Sequence, residues 1–388
     1  MWQPRANGER GYTERMRLSF LLCFLSLVLL LPLACNAPES AAPLDPGTLA
    51  SGPLRVAAAE AQSDFPTGIV FRLTLASETP VQDVTLRYFF RPERVVYARP
   101  TVQQVGNSVQ AEYVLRLTNT SPGYVLEYWY EVANAGGERL ETPHTTMVYL
   151  DSRLSWQQVS RNGLTVYYHG SAKSKAEALL RTGQEDYERV RAVFGRSLPG
   201  EWRIFLYNDV AAVNQAMAMR SQTLSQSNEF SGFAIPESAS IILAADALND
   251  PHVLAHEIAH LLIHREASPL EVVLPSWVDE GLAEYLSAPD GTWHASYLRD
   301  LVSKGDLLSL STMHDLPATP SQVSLFYAQS WSIVRFLVLQ QGMDRMQAFV
   351  HAFATPGVQV DGALLEVYGL NRSSLERAWL DAQQRAGR

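Results

Sequence analysis

The sequence predicts an α+β fold with two domains, an all-β sandwich-like domain at residues 55–150 and a mixed domain at residues 151–388. Two observations predict this order. Up to residue 150, short segments rich in Val, Tyr and Phe alternate with turn residues, which is typical of antiparallel strands. Beyond it, a few strand-like segments precede a long series of helical patterns, so we expect a small mixed sheet and then a mainly helical part.

The first 35 residues have the pattern of an export signal. Arg17 precedes an apolar run that ends in L-P-L-A-C at residues 31–35, and this end resembles a bacterial lipoprotein processing box, although Pro32 stands where such boxes carry an aliphatic residue. Cys23 and Cys35 are the two cysteines of the chain. The sequence therefore predicts lipidation of Cys35 and a membrane-anchored protein at the cell surface. An ordinary signal peptide of a secreted protein and an uncleaved anchor are the alternatives.

Residues 36–54 are rich in Ala, Pro, Ser and Gly and predict a flexible linker. The β domain that follows carries no motif of catalytic chemistry, so we interpret it as an accessory or spacer domain, with a binding role as the alternative. Its predicted strands include residues 68–76, 84–90, 109–117 and 124–133.

The second domain begins with strand-like segments around a charged helix near residues 172–194. Beyond residue 250 almost every segment has helical periodicity, up to residues 373–386. The formal net charge of the chain is −9, and it has no basic cluster, P-loop or dinucleotide fingerprint, so we expect no nucleic-acid partner. The predicted strands of this domain are residues 164–170, 202–208 and 238–245.

The chemistry is concentrated in H-E-I-A-H at residues 256–260. Asp250 and Pro251 predict a helix start, and His256 and His260, four residues apart, project from one helix face at a spacing that one zinc ion can bridge. Glu257 lies beside them, where it can take a proton from zinc-bound water. The alternative is that these are ordinary core or surface histidines.

A catalytic zinc needs a third protein ligand, and two residues are candidates. His264 continues the histidine face, but its position lies about 12 Å beyond the first ligand at 1.5 Å per helical residue. We therefore interpret His264 as a cation near a helix C-terminus. Glu280 is the better candidate, because a loop and a second helix can return it to the first. Glu284 shares its helix face and can accept the second N–H of a ligand histidine, unless the two glutamates are simply a solvated pair.

H-E-I-A-H followed by W-V-D-E-G-L-A-E-Y-L resembles the gluzincin metallopeptidases, and more closely the peptidase MA-like family, relatives of the M1 aminopeptidases and thermolysin. The resemblance covers about residues 155–388. It implies a gluzincin-type zincin domain, with His256, His260 and Glu280 as zinc ligands and Glu257 as general base. It also implies that residues 238–245 form the edge strand that lines the cleft.

Residues 326–337, F-Y-A-Q-S-W-S-I-V-R-F-L, resemble a helix of the same family whose tyrosine faces the metal, which makes Tyr327 a candidate electrophile or else a packing residue. No G-A-M-E-N-like segment is present, so aminopeptidase specificity is not implied. The predicted function is an exported zinc metallopeptidase that acts on peptides or proteins. A non-catalytic surface binding protein with a degenerate zincin scaffold, and a zinc hydrolase of a non-peptide substrate, are the alternatives.

Overall fold

The computed structural model of the protein describes residues 54–90, 94–195, 197–198, 200–217, 231–267, 274–317, 319–355 and 357–386. The predicted signal peptide at residues 1–35, its Cys35 and the predicted linker lie outside these residues, apart from Leu54, which already begins the first strand. Within the described part, no helix combines the length and the apolarity that a membrane span requires.

The first part of the chain is an antiparallel β-sandwich. One sheet has the order β1-β2-β6-β5, and the other has the order β4-β3-β7-β8 with β9 also paired to β7. Alternate residues of both sheets, such as Phe71 of β2 and Tyr130 of β7, are buried in one shared core. The strands are β1 (Leu54–Asp64), β2 (Gly68–Ser77), β3 (Val81–Phe89), β4 (Val96–Ala98), β5 (Thr101–Val105), β6 (Ser108–Arg116), β7 (Val125–Asn134), β8 (Arg139–Glu141) and β9 (Thr145–Val148).

The second part opens with a mixed sheet of order β10-β11-β12-β14-β13. The three middle strands β11, β12 and β14 are parallel, and the outer strands β10 and β13 are antiparallel to their neighbours. A helical crossover between β11 and β12 allows them to run in parallel. The strands are β10 (Gln157–Arg161), β11 (Leu164–Tyr168), β12 (Trp202–Tyr207), β13 (Gly232–Ile235) and β14 (Ser240–Ala244).

The helices follow the predicted periodicity, and together with the sheets they confirm the predicted α+β fold class. The crossover helix α1 occupies almost the same residues as the charged helix expected near residues 172–194. The helices are α1 (Lys173–Phe194), α2 (Val210–Ala216), α3 (Val253–Ala267), α4 (Ser276–Ser287), α5 (Thr292–Lys304), α6 (Pro320–Gln341), α7 (Met343–Ala352), α8 (Val360–Tyr368) and α9 (Arg372–Ala386).

The mixed sheet is covered on both faces. Ile204 and Ile241 point into the core formed with the helices, whereas Phe205 and Ile242 point into a second cluster that also contacts Val148 of the sandwich. A hydrogen bond joins the two parts as well, donated by the Val125 backbone N–H to the side-chain Oγ of Ser238 over 2.9 Å. The sandwich is therefore packed directly against the mixed sheet.

The order of strands in the mixed sheet corrects one expectation. The predicted edge strand at residues 238–245 is not an edge, because β14 lies between β12 and β13. All five residues of β14 are buried, and a strand covered on both faces needs a continuous apolar run rather than an alternating one. In the described part of the chain, the outer strand on this side of the sheet is β13, Gly232–Ile235.

Candidate metal centre

Helix α3 carries both histidines of the motif. It begins at Val253, slightly later than predicted, and Asp250 Oδ1 accepts the His252 backbone N–H over 2.9 Å just before the helix starts. Leu254, Ile258 and most of the other apolar residues of the helix are buried in the core that the helices form with the mixed sheet. His256 and His260 contact α4, and their ring centroids are 4.8 Å apart.

Helix α4 supplies the third candidate ligand. Glu280 Oε2 lies 3.2 Å from His256 Nε2 and 3.4 Å from His260 Nε2, and the two imidazole nitrogens are 3.1 Å apart. Four-coordinate zinc holds nitrogen and oxygen ligands at 2.0–2.1 Å, which separates neighbouring ligand atoms by about 3.3 Å. The three atoms are therefore spaced as ligands of one tetrahedral ion.

The hydrogen bonds of the site leave these three atoms as acceptors. His260 Nδ1 donates to Asp279 Oδ1 over 2.9 Å, and His256 Nδ1 lies 3.3 Å from Glu284 Oε1. A proton on each Nδ1 leaves a lone pair on each Nε2. Glu280 Oε2 is buried and makes no hydrogen bond within the described residues. Three converging acceptor atoms repel one another unless a cation lies among them, so this donor set fits zinc.

A second group of ligand types lies next to the first. His260, His264 and Asp279 also bring three possible ligand atoms within 4.8 Å of one another. There, however, His264 Nε2 donates to Asp279 Oδ2 over 2.9 Å, and Asp279 Oδ1 already accepts from His260. These atoms satisfy one another without an ion. His264 lies in the last turn of α3, as predicted, and in addition it contacts the carboxylate that contacts His260.

Three carboxyl groups of the site have lowered pKa values: Asp279, Glu280 and Glu284. Burial raises the pKa of Glu284, but its contacts with His256 and His294 outweigh burial and lower the pKa to about 2. Burial likewise opposes ionisation of Asp279, yet the neighbouring histidines hold its pKa below the usual range. Burial lowers the pKa of His256, but Glu280 and Glu284 outweigh it and raise the pKa to about 10, so in the absence of an ion a proton on this imidazole takes the place of the cation, and a metal binds in exchange for it. The site thus concentrates negative charge where a divalent cation would bind.

Glu257 lies under the edge of the mixed sheet and is only 7% exposed. Burial raises the pKa of its carboxyl, while the charges of His256 and His260 oppose that rise. Gly232 of β13 lies directly over it, since a Cβ atom at that residue would be 3.4 Å from Glu257 Oε1 and 2.9 Å from Leu243 Cδ1. A carboxyl with a raised pKa beside a metal site is suited to accepting a proton near neutral pH.

Tyr327 lies beside the same histidines. Its ring centroid is 6.3 Å from that of His256, and burial together with the surrounding carboxylates raises the pKa of its hydroxyl, so the hydroxyl stays protonated and can donate. Its helix α6 packs closely on α4 at Gly281, where a Cβ atom would lie 2.6 Å from the Ser330 carbonyl oxygen. The glycine therefore allows the close approach that brings Tyr327 to the site.

The sequence predicted six residues of the site, and the structure places all six around one centre: His256, Glu257, His260, Glu280, Glu284 and Tyr327. It missed three other residues: Asp279, Gly232 and His294, which donates to Glu284. Asp279 had a signal in the sequence, since it is the residue before Glu280. The other two come from segments without a recognisable motif.

A family model and several solved structures match this chain. The model of the Peptidase MA superfamily matches residues 182–384, just over half of the 388-residue chain. No curated protein matches the chain. Among solved structures, an M1 zinc metallopeptidase from Deinococcus radiodurans is similar at 10% identity with a TM-score of 0.40, covering 81% of this chain and 90% of that one. An aminopeptidase N family protein from Idiomarina loihiensis is similar at 10% identity with a TM-score of 0.38, covering 82% and 74%.

Proposed function

The chain belongs to the Peptidase MA superfamily, and from this premise we propose that it is a zinc-dependent metallopeptidase that hydrolyses peptide bonds. One observation carries the proposal. Three acceptor atoms, from His256, His260 and Glu280, converge at 3.1–3.4 Å beside the buried carboxyl of Glu257. A metal site with an adjacent general base is the arrangement that hydrolysis of an unactivated carbonyl needs.

His256, His260 and Glu280 would hold the ion, and Asp279 and Glu284 would keep the two imidazoles in the tautomer that ligates it. When bound, zinc supplies Lewis acidity, which makes a water more acidic and polarises the carbonyl of the substrate. These three residues would be one ligand fewer than a structural zinc site uses, which would leave access for solvent or substrate.

Glu257 would carry the proton through the reaction. Its carboxylate accepts a proton from the attacking water and then donates it to the nitrogen of the leaving amine. The raised pKa of Glu257 supports the first step, because a stronger base accepts a proton more readily near neutral pH. The Tyr327 hydroxyl would donate a hydrogen bond to the oxygen of the scissile carbonyl as negative charge develops on it.

Strand β13 is the element on which a peptide would bind. It pairs with β14 on one side, and no described strand pairs with it on the other. A peptide chain can therefore hydrogen-bond to its backbone as an added strand. Gly232 at the start of β13 lies against Glu257, so the scissile bond of a peptide bound in this way would pass close to the general base.

The test compares Glu257→Gln with the unaltered protein, with zinc content measured in both. We expect the variant to keep its zinc and to lose about 100-fold or more in the rate of peptide hydrolysis. The surface variant Glu177→Gln is the matched control, because Glu177 is exposed and pairs only loosely with Lys173, at 3.9 Å. If Glu257→Gln keeps both its zinc and its rate, the proposed mechanism is wrong.

The substrate class is tested by digestion of a peptide library and analysis of the products by mass spectrometry. Cleavage that disappears on chelation of the metal and returns with zinc supports a peptidase. A protein that binds one zinc ion but cleaves none of the peptides contradicts peptide hydrolysis and favours a binding role or a non-peptide substrate.

We further propose that the protein is exported and held at the membrane surface by a lipid on Cys35. The support is the apolar run that ends in L-P-L-A-C and the absence of any cysteine after residue 35. In cell fractionation, the unaltered protein is expected in the membrane fraction and Cys35→Ser in the soluble fraction. If Cys35→Ser stays in the membrane fraction, the anchor is not a lipid on this residue.

A further inference from the structure

His294 is a buried histidine that the mechanism above does not use. It lies in the first turn of α5 and is only 4% exposed. Its ring is stacked on Trp331, with centroids 4.9 Å apart and planes 13° from parallel, and Trp293 packs against it edge-on. An aromatic hydrocarbon side chain could make these contacts equally well, so packing alone does not explain an imidazole here.

The polar contacts of His294 point in one direction. Its Nε2 donates to Glu284 Oε2 over 2.8 Å, whereas its Nδ1 is buried and has no hydrogen-bond partner in the described part of the chain. A buried nitrogen without a partner is destabilising, and an unpaired N–H more so than an unpaired lone pair. The ring therefore has a proton on Nε2, and its one hydrogen bond within the described residues is the one to Glu284.

Glu284 connects His294 to the metal site. One of its oxygens accepts from His294, and the other, Oε1, lies 3.3 Å from His256 Nδ1. A carboxylate whose second oxygen is fixed in this way cannot rotate away from the ligand imidazole. The other histidine ligand, His260, has the same arrangement. Asp279 lies between His260 and His264, and both contacts are 2.9 Å long. Each ligand histidine is thus backed by a carboxylate and then by a second histidine.

We infer that His294 is a positioning residue of the zinc site: by donating to Glu284, it fixes the carboxylate that holds His256 in its metal-binding orientation. This role rests on the zinc site of the proposed function. His294 lies outside the H-E-I-A-H and W-V-D-E-G-L-A-E-Y-L segments that carry the family resemblance. His294 does not touch the ion or the substrate. Its effect is on the affinity and geometry of the bound metal.

The test measures zinc affinity by chelator competition, together with the absorption spectrum of the cobalt-substituted protein. His294→Phe fills the same space and can stack on Trp331, but it cannot donate. His294→Gln restores a donor near the Nε2 position. We expect the Phe variant to bind zinc about 10-fold more weakly and to show an altered cobalt spectrum, and the Gln variant to stay within about twofold of the unaltered protein. His252→Gln is the matched control, because within the described residues the ring of His252 hydrogen-bonds to the Ser287 carbonyl oxygen and to no group of the metal site.

A double variant separates positioning from general damage to the fold. If His294 acts through Glu284, adding His294→Phe to Glu284→Gln causes no further loss of zinc affinity. Full additivity of the two losses, or a Phe variant with unchanged affinity and cobalt spectrum, would overturn the inference. A protein that binds zinc with these properties but cleaves no peptide refutes the proposed function alone, whereas a protein that binds no zinc refutes both.

Discussion

At Gly281, the helix that supplies Glu280 closely approaches the helix that supplies Tyr327. A Cβ atom there would lie 2.6 Å from the Ser330 carbonyl oxygen, 2.7 Å from its carbonyl carbon and 3.0 Å from its Cβ. The first two of these atoms are backbone atoms, so rotation of a side chain cannot relieve the overlap. We therefore expect Gly281→Ala to push α6 away from α4 and to destabilise the protein.

The magnitude follows from two opposing effects. An ordinary carbon–oxygen contact is about 3.3 Å, so the helices would separate by about 0.7 Å, and overpacking of a filled core costs about 1–3 kcal/mol. Because the obstacle is helix backbone, the upper end of that range applies, while the better helix propensity of alanine returns about 1 kcal/mol. The net cost of about 2 kcal/mol corresponds to a fall of about 4–8 °C in Tm for a domain of this size.

The assay is thermal unfolding of the purified protein followed by circular dichroism, with Gly362→Ala as the matched control. Gly362 also lies within a helix of the same part of the chain, α8, but a Cβ atom there would contact nothing within 4 Å. Alanine should therefore raise the Tm by about 2 °C at this residue. If Gly281→Ala is as stable as the unaltered protein, the close approach of α4 and α6 is not what positions Glu280 and Tyr327.

Three further outcomes are expected. Removal of zinc with a chelator should lower the Tm, and zinc at 100 times its Kd should restore about 2.7 kcal/mol of stability; a Tm that does not depend on zinc would contradict the metal site. Tyr327→Phe should lower kcat about 100-fold with zinc affinity unchanged, as loss of one oxyanion donor does, and an unchanged kcat would assign Tyr327 a packing role. Burial lowers the pKa of His169, so the unfolded chain takes up its proton first as the pH falls below about 6.5, and stability should decrease there. In His169→Phe that decrease should be smaller, as measured by Tm against pH, and an identical pH profile would refute the assignment.

The sequence predicted the fold class because each part has a strong periodic pattern. The strands of the sandwich alternate buried and exposed residues, as in β1, and this alternation is visible without a structure. The order of strands in the mixed sheet was not predictable in the same way. Strand β13 is four residues long, G-F-A-I, with no alternation, and only its pairing with β14 shows that it forms the outer strand. The family resemblance implied an edge strand at residues 238–245, which contain β14, whereas the outer strand is its neighbour β13.

The candidate site was predictable where one helix sets the spacing. His256 and His260 are one turn apart on α3, and Glu280 and Glu284 are one turn apart on α4, so each pair follows from helix geometry alone. His294 was not predictable, because its contact with Glu284 depends on how α5 returns to α4. Contacts between elements depend on crossing angles and connections, which local spacing does not encode.

The position of Asp279 shows what the missing information was. Along α3, His256 contacts Glu284 and Glu280, His260 contacts Glu280 and Asp279, and His264 contacts Asp279. Later residues of α3 thus contact earlier residues of α4. The two helices therefore pair antiparallel. In an antiparallel pair, Asp279, which precedes Glu280 on α4, must lie next to His260 and His264. Two ligands one turn apart on α3 and a third on the antiparallel α4 therefore also determine where the supporting carboxylate of His260 has to lie.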